Sequence, residues 1–257
     1  MVVQQIFDWF REQSLATWVI FSLVSNFAIS GSSIVACWWL GRMFPKRQIF
    51  DSPQPLTAHD KWLAILATLL NSGVSIAGWI LWKAGWITIT FPSWERTLLD
   101  VIILLLFMDV GMYVLHWVVH YPALFRVIHR THHTHHSTNP LSLFVLNPLE
   151  VLGFGSLMIC GIFLFPLSAI AIVIYLNLNI AFGTLGHAGV EPFPSRWFRH
   201  AVFRQIGTST FHGLHHADPQ YNFGFYTAIW DRVFGTIHPE YDRRVAQEPG
   251  PDSLTAH

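Results

Sequence analysis

The chain has 257 residues, of which 52% are hydrophobic, 15% aromatic and only 12% charged, with a mean hydropathy of +0.41. That charged share is about half that of an ordinary soluble domain, which excludes a soluble single-core globule, and the apolar content excludes a disordered chain. Fifteen Lys and Arg balance fifteen Asp and Glu, so there is no basic footprint for nucleic acid, and the composition is that of a membrane protein.

In chain order, Ser14 to Gly41 and Trp62 to Trp82 run without a charge. About 20 apolar residues cross a bilayer core, so each is read as one span. Ile34 to Cys37 faintly resembles a lipoprotein cleavage site, but it lacks a basic start, and an uncleaved span is expected. Val101 to Phe125 holds a single acid, Asp109, and the third span is drawn over 97–119. Val151 to Val190 has no Asp, Glu, Lys or Arg over 40 residues. Pro166 near its middle marks a turn, so 151–183 is read as a hairpin of about 151–165 and 167–183; one long tilted helix is the alternative.

The expected fold is therefore a single all-α integral membrane domain, 1–257, with about four transmembrane helices, the last pair a hairpin. A histidine-rich helical cap is assigned to 120–150 and 184–240, and a tail to 241–257. With the hairpin, twelve of the fifteen Lys and Arg fall on the cap side, leaving Arg11, Lys83 and Arg96 on the other. The positive-inside rule then places the cap in the cytosol and the N-terminus outside. Within the cap, Trp197, Phe198, Ala201 and Val202 recur on one helical face opposite Arg196, Arg199, His200 and Arg204, which suggests a basic interfacial helix over 192–204.

Histidine is the outlier, with 15 residues, while the two cysteines, Cys37 and Cys160, sit in apolar runs and build neither a disulfide framework nor a Cys-ligated metal site. Asp109, Tyr113, His116 and His120 step by 4, 3 and 4 and form one helical stripe that must face a bundle or cavity. His129, His132 and His133 form an HxxHH, which on a helix falls within one face. His212, His215 and His216 repeat the pattern. Neutral imidazole ligates iron, copper and zinc, and eight histidines in three clusters suffice for two ions. A shifted HxxHH of His132, His135 and His136 leaves the register open on spacing alone, and His187 reads equally as a capping residue or a ligand. His59, His200, His238 and His257 read as surface residues.

Taken together, these motifs resemble the fatty acid hydroxylase/sterol desaturase superfamily of membrane histidine-box oxidases. The similarity covers about half the chain, from Asp109 through His116 and His120, His129 to His133 and His212 to His216, to Tyr221–Gly224 and Trp230–Thr236. Counting back from Asn147-Pro148-Leu149-Glu150 puts His129, His132 and His133, not His135 and His136, in the second box. The resemblance also adds His187 to the metal ligands. Two positions depart from the family: Asn147 stands where a histidine is frequent, and Trp117 where an arginine commonly follows the first histidine. One ligand is then missing or supplied elsewhere, and the subfamily has altered substrate or lost activity.

The resemblance implies two iron ions (Fe2+) and an oxygen-dependent hydroxylation or desaturation of a membrane lipid, with sterol, fatty-acyl, sphingoid and carotenoid substrates all open and a lean toward the sterol branch. Asp109, Glu150 and Asp231 are candidates to accept from ring N–H groups. No haem domain, cysteine cluster or dinucleotide fingerprint occurs here, so electrons are expected from a separate cytochrome or ferredoxin. The membrane is either a bacterial inner membrane or the endoplasmic reticulum. The alternatives are a membrane cytochrome, which predicts isolated histidines deep in two facing spans, and a metal transporter, which predicts ionisable residues along several spans.

Overall fold

The structure, a computed structural model, describes residues 2–50 and 54–247. His257 and the tail beyond residue 247 lie outside the described residues. The described residues are mostly helical. Helix α1 (Val2–Glu12) is followed by the long apolar helices α2 (Leu15–Met43), α3 (Ala58–Lys83) and α4 (Trp94–Val119). A single turn α5 (Pro122–Leu124) opens the first cap segment, and α6 (Pro148–Leu164) and α7 (Ala169–Gly186) form the hairpin. The second cap segment carries α8 (Ser209–Ala217), α9 (Ile229–Phe234) and α10 (Tyr241–Val245).

The helix starts follow from local chemistry. Ser14 accepts from the Thr17 N–H at 3.1 Å, and Thr57 and Asp60 form a reciprocal capping box ahead of α3. Asn147 caps α6, with Pro148 at the first helical position where no N–H is needed. α2, α3, α4 and α7 are long and apolar enough to cross a membrane, and α6 is a shorter apolar helix of 17 residues. Chain direction reverses at Phe165 and Pro166, so the fourth apolar stretch is a hairpin and not one tilted helix.

The five long helices close into a ring in which α2 meets α3, α3 meets α6, α6 meets α4, α4 meets α7, and α7 returns to α2. Small hydroxyls let α2 approach its neighbours closely, with Ser30 against Thr68 of α3 (3.2 Å) and Ser33 against Thr184 of α7 (2.7 Å). The core joins Leu104, Met108 and Met112 of α4 to Tyr175 of α7 and Tyr226 of the cap. At the end away from the histidines, β1 (Ile89–Thr90) pairs in parallel with β2 (Leu167–Ser168). There the buried Asp100 accepts from the Ser168 N–H and from Arg96 Nε, both at 2.8 Å. At the other end the loop after α2 is stitched to the cap, Ile49 N–H to Gly189 O at 3.0 Å and Glu191 N–H to Arg47 O at 2.9 Å.

Exposed tryptophans mark both ends of this bundle. Trp9, Trp86 and Trp94 stand at the β1–β2 end, and Trp38, Trp39, Trp62, Trp117 and Trp197 at the cap end. Trp94 and Trp117 lie on one helix, 23 residues apart in the sequence, or about 35 Å at the helical rise. That separation matches a bilayer core with its interfacial aromatic belts. The cap, and with it the histidines, starts at the membrane edge.

Two elements differ from the sequence expectations. Residues 192–204 form no continuous α-helix: 3-10 turns at Ser195–Arg199 and Phe203–Gln205 put Phe198 into a core with Phe211 and Tyr241, while Trp197 and Val202 stay exposed. Burial of Phe198 overrides the helical periodicity. Helix α1, for which the sequence pattern gives no expectation, lies across the end of α3, with Phe7 against Trp82 and Lys83 Nζ bonded to Gln13 O at 2.8 Å.

The Asp100 link gives a stability prediction. Asp100→Ala leaves the buried Ser168 N–H without its acceptor, a loss of about 1–3 kcal/mol. It lowers the thermal midpoint in detergent but leaves metal content per folded chain unchanged, because Asp100 is at the opposite end of α4 from the histidines.

Candidate metal centre

The stripe on α4 faces the closing segment 221–236. Asp109 accepts from Thr227 Oγ1 (2.6 Å), the Thr227 N–H (3.2 Å) and Trp230 Nε1 (3.0 Å). Tyr113 OH meets Thr236 Oγ1 at 3.0 Å, and its ring stacks on Phe234. His116, in the last turn, and His120, the residue that caps the helix, reach the histidines of the other boxes.

The second box is not on an α-helix. Phe125–His129 is a π-helical turn, with the Arg130 N–H bonded to Phe125 O at 2.7 Å, and His132–Thr134 is a 3-10 turn. This change of pitch separates residues that a regular helix would keep on one face. His129 and His133 meet with Nε2 atoms 3.1 Å apart, whereas His132 Nε2 lies 3.4 Å from His187 Nε2. The third box, on α8, divides in the complementary way. His212 and His216 converge with Nε2 atoms 3.1 Å apart, and the His215 ring packs against His116, His120 and His133.

All nine candidate ligands are thus brought together, in two adjoining groups: His116, His120, His129, His133 and His215 in one, and His132, His187, His212 and His216 in the other. Within each group the potential ligand atoms lie within 4.8 Å of one another. His133 stacks on His216 where the groups meet, ring centroids 4.8 Å apart.

Ring orientation follows from the outer nitrogens. His116 Nδ1 donates to Phe223 O (2.8 Å), His215 Nδ1 to Tyr221 O (2.6 Å), His187 Nδ1 to Gly183 O (3.0 Å) and His216 Nδ1 to His135 O (2.9 Å). A carbonyl only accepts, so each of these Nδ1 atoms carries the proton and each Nε2 carries a lone pair. Glu150 Oε1 lies 2.8 Å from His129 Nδ1. Burial pushes the His187 ring down to about 4, and burial plus mutual repulsion holds His129, His132, His212, His215 and His216 far below the ordinary histidine range.

The result is an array of neutral imidazoles whose Nε2 atoms converge, four of them with the lone pair fixed inward. His116 and His129 Nε2 are 3.0 Å apart, and His187 and His212 Nε2 3.2 Å. Nitrogens bound at about 2.0–2.1 Å to a shared ion, at octahedral or tetrahedral angles, sit about 2.9–3.4 Å from each other. His215 Nε2, whose proton is fixed on Nδ1, and His120 Nε2 are buried without a hydrogen-bond partner, and an all-imidazole donor set suits iron, copper or zinc. The residues fit a pair of metal ions.

The remaining sequence candidates separate cleanly. His135 and His136 lie outside both groups: the His135 carbonyl holds His216 and its ring is 3.6 Å from Asp60, while His136 Nδ1 is 3.4 Å from His216 O. Of the three carboxylates, only Glu150 meets one of the nine rings; Asp109 and Asp231 bind the closing segment instead. Asn147 caps α6 and donates to Val127 O at 2.9 Å, and Trp117 meets Tyr121 edge to face at the surface, so neither departure from the family pattern sits among the rings. His59 and His200 are exposed and His238 half-buried. The carbonyls of Gly183, Tyr221, Phe223 and His135 were invisible in sequence, because any residue type supplies a carbonyl.

Two recesses reach the site. A groove of about 250 Å³ is lined by His120, Pro122, Phe125, Arg126, Pro219 and Gln220. A smaller cavity lies between the end of α7 and Thr208–His212, against His187 and His212, with Phe182, Phe211 and Phe225 in its wall.

Comparison with known proteins agrees with this architecture. Residues 101–236, more than half the chain, match the model of the fatty acid hydroxylase family, and the chain belongs to that family. Relatives include a Delta(7)-sterol 5(6)-desaturase of Eremothecium gossypii, 26% identical over 157 residues that cover 58% of this chain and 41% of that protein. The lathosterol oxidase of Rattus norvegicus is 31% identical over 157 residues, covering 58% and 49%, and the cholesterol 25-hydroxylase of the same organism 27% identical over 147 residues, covering 57% and 49%. The chain spans about half the length of these curated relatives. No solved structure matches it.

The depressed ring pKa values fix a pH dependence. Unfolded histidines titrate near 6.5 and the folded His187 ring near 4, so between these values the unfolded chain binds more protons and stability rises with pH. Chelator-treated protein therefore holds its stability above about pH 6.5 and loses it progressively as pH falls toward 4, measured by the thermal midpoint across that range.

Proposed function

We propose that the chain is an oxygen-dependent oxidoreductase that hydroxylates or desaturates a membrane lipid of the sterol or fatty-acyl type, using two iron ions (Fe2+). The observation that carries this is the sorting of nine neutral histidines, eight buried and His120 half-buried, into groups of five and four with Nε2 separations of 3.0–3.4 Å. His116, His120, His129, His133 and His215 would hold one ion, and His132, His187, His212 and His216 the other. When bound, the ion pair supplies the redox chemistry with dioxygen that breaking an unactivated C–H bond requires.

The protein's own part is positional. Backbone carbonyls keep the protons of His116, His187, His215 and His216 on Nδ1, so that Nε2 stays a donor at neutral pH. Glu150 places a buried carboxyl oxygen 2.8 Å from His129 Nδ1. Phe125 and Phe223 pack against the first group and Phe211 and Phe225 line the cavity at the second, and these side chains keep water from the ring edges. The acyl chain or sterol enters from the leaflet beside the cap, where the exposed Trp117, Tyr121 and Leu124 mark the membrane surface. By the positive-inside distribution that leaflet is the cytosolic one. Electrons come from a separate cytochrome or ferredoxin, since two isolated cysteines cannot hold an iron–sulfur cluster.

Reconstitution in lipid vesicles with sterol or fatty-acyl substrates, a reduced ferredoxin and labelled dioxygen tests this reading. The expected product is an alcohol carrying the label or an alkene without it, absent with the His212→Ala protein. Turnover of no lipid in either class by metal-loaded protein, or full turnover with a nicotinamide cofactor and oxygen alone, would contradict it.

A further inference from the structure

Among the described residues the closing segment touches the nine rings by one side chain, Phe223, which packs against His116, His120 and His215, yet two rings depend on its backbone for hydrogen bonds. Tyr221 O and Phe223 O accept from His215 and His116, and both of these histidines belong to the group of five. Between the two carbonyls Asn222 adopts a left-handed conformation (φ 59), a region that asparagine tolerates better than most residues. The asparagine is pinned on three sides, its N–H on Thr236 O (2.8 Å), its Nδ2 on Phe211 O (2.9 Å) and its Oδ1 under the His238 N–H (2.7 Å).

The turn itself is gripped by one carboxylate. Asp231, fully buried on α9, accepts from the Phe223 N–H (2.8 Å), the Gly224 N–H (2.8 Å) and Thr236 Oγ1 (2.7 Å). A Cβ at residue 224 would collide with this carboxylate and with the Thr227 carbonyl, so glycine is required for the grip. Among the described residues Asp231 has no ion-pair partner. A buried carboxylate satisfied only by neutral donors is costly, and here its hydrogen bonds all serve the geometry of one turn. The group of four is anchored elsewhere: His187 on Gly183 O within α7, and His216 on His135 O.

We propose that Asp231 is a positioning residue for one half of the metal centre. Through the 221–224 turn it aims His116 and His215, so the five-histidine site depends on it and the four-histidine site does not. This rests on the reading that the two groups hold metal, and it makes the two sites separable by a substitution that touches no ligand.

The test is metal release from the purified, metal-loaded chain to an excess of chelator, followed in time. The parent should release two equivalents slowly. In Asp231→Asn one equivalent should leave about 10- to 100-fold faster, the usual effect of losing an outer partner of a ligand, with the other unchanged. The fast equivalent should be missing when His116→Ala is added and persist when His212→Ala is added. Asp109→Asn is the control for general loosening, since Asp109 holds the neighbouring Thr227 and Trp230 but neither of the two carbonyls; it should leave both release rates at parent values. Should Asp231→Asn fail to fold, Thr236→Val removes one of the three donors and gives the same selective acceleration in smaller measure. Unchanged release, equal acceleration of both equivalents, or a fast equivalent that belongs to the four-histidine site would each overturn the proposal while leaving the two-metal reading intact. A parent that carries fewer than two equivalents would overturn both.

Discussion

Nine imidazoles packed side by side must stay neutral, and every buried ring nitrogen needs a partner. The rest of the molecule answers to that constraint. Four Nδ1 protons are fixed on main-chain carbonyls, which forces four Nε2 lone pairs inward, and a carboxylate stands against a fifth ring. Those carbonyls come from the end of α7, from the segment after the second box and from the 221–224 turn. The membrane helices and the cap are therefore coupled through the site, and neither can shift without turning a ring.

The bilayer supplies the second constraint. α4 crosses between the two tryptophan belts and delivers His116 and His120 at the cap-side edge. The hairpin of α6 and α7 returns the chain to the same edge, so Glu150 at the start of α6 and His187 at the end of α7 arrive at one level. The Asp100 network and the β1–β2 pair close the opposite end and have no part in the site.

Much of this was legible in the residues. Charge-free runs and Pro166 located the spans and the hairpin, because lipid tolerates little else, and the HxxxH and two HxxHH patterns named eight of the nine histidines that come together. His187 needed the resemblance, since a lone histidine at a helix end carries no spacing signal. What could not be read was the division into five and four. Helical periodicity places His129, His132 and His133 on one face, and only the π-helical and 3-10 turns send His132 to the other group. Asp231 looked like a partner for a ring and instead holds backbone N–H groups, a distinction that depends on loop geometry. Asn147 looked like a lost ligand, and its place as a helix cap follows from α6 beginning one residue later. The 192–204 pattern misled because Phe198 is drawn into a core with Phe211 and Tyr241, residues remote in sequence.

The most direct measurement is the number of metal ions per chain, by elemental analysis of detergent-purified protein with the His132→Ala variant alongside. Stoichiometry is the quantity to read first, since zinc can take the place of iron during expression. Two arrays of converging lone pairs predict close to two ions per chain, falling to about one when the four-histidine group loses a member. One ion or none in the parent, a stoichiometry that His132→Ala leaves untouched, or an equivalent of haem would contradict the account.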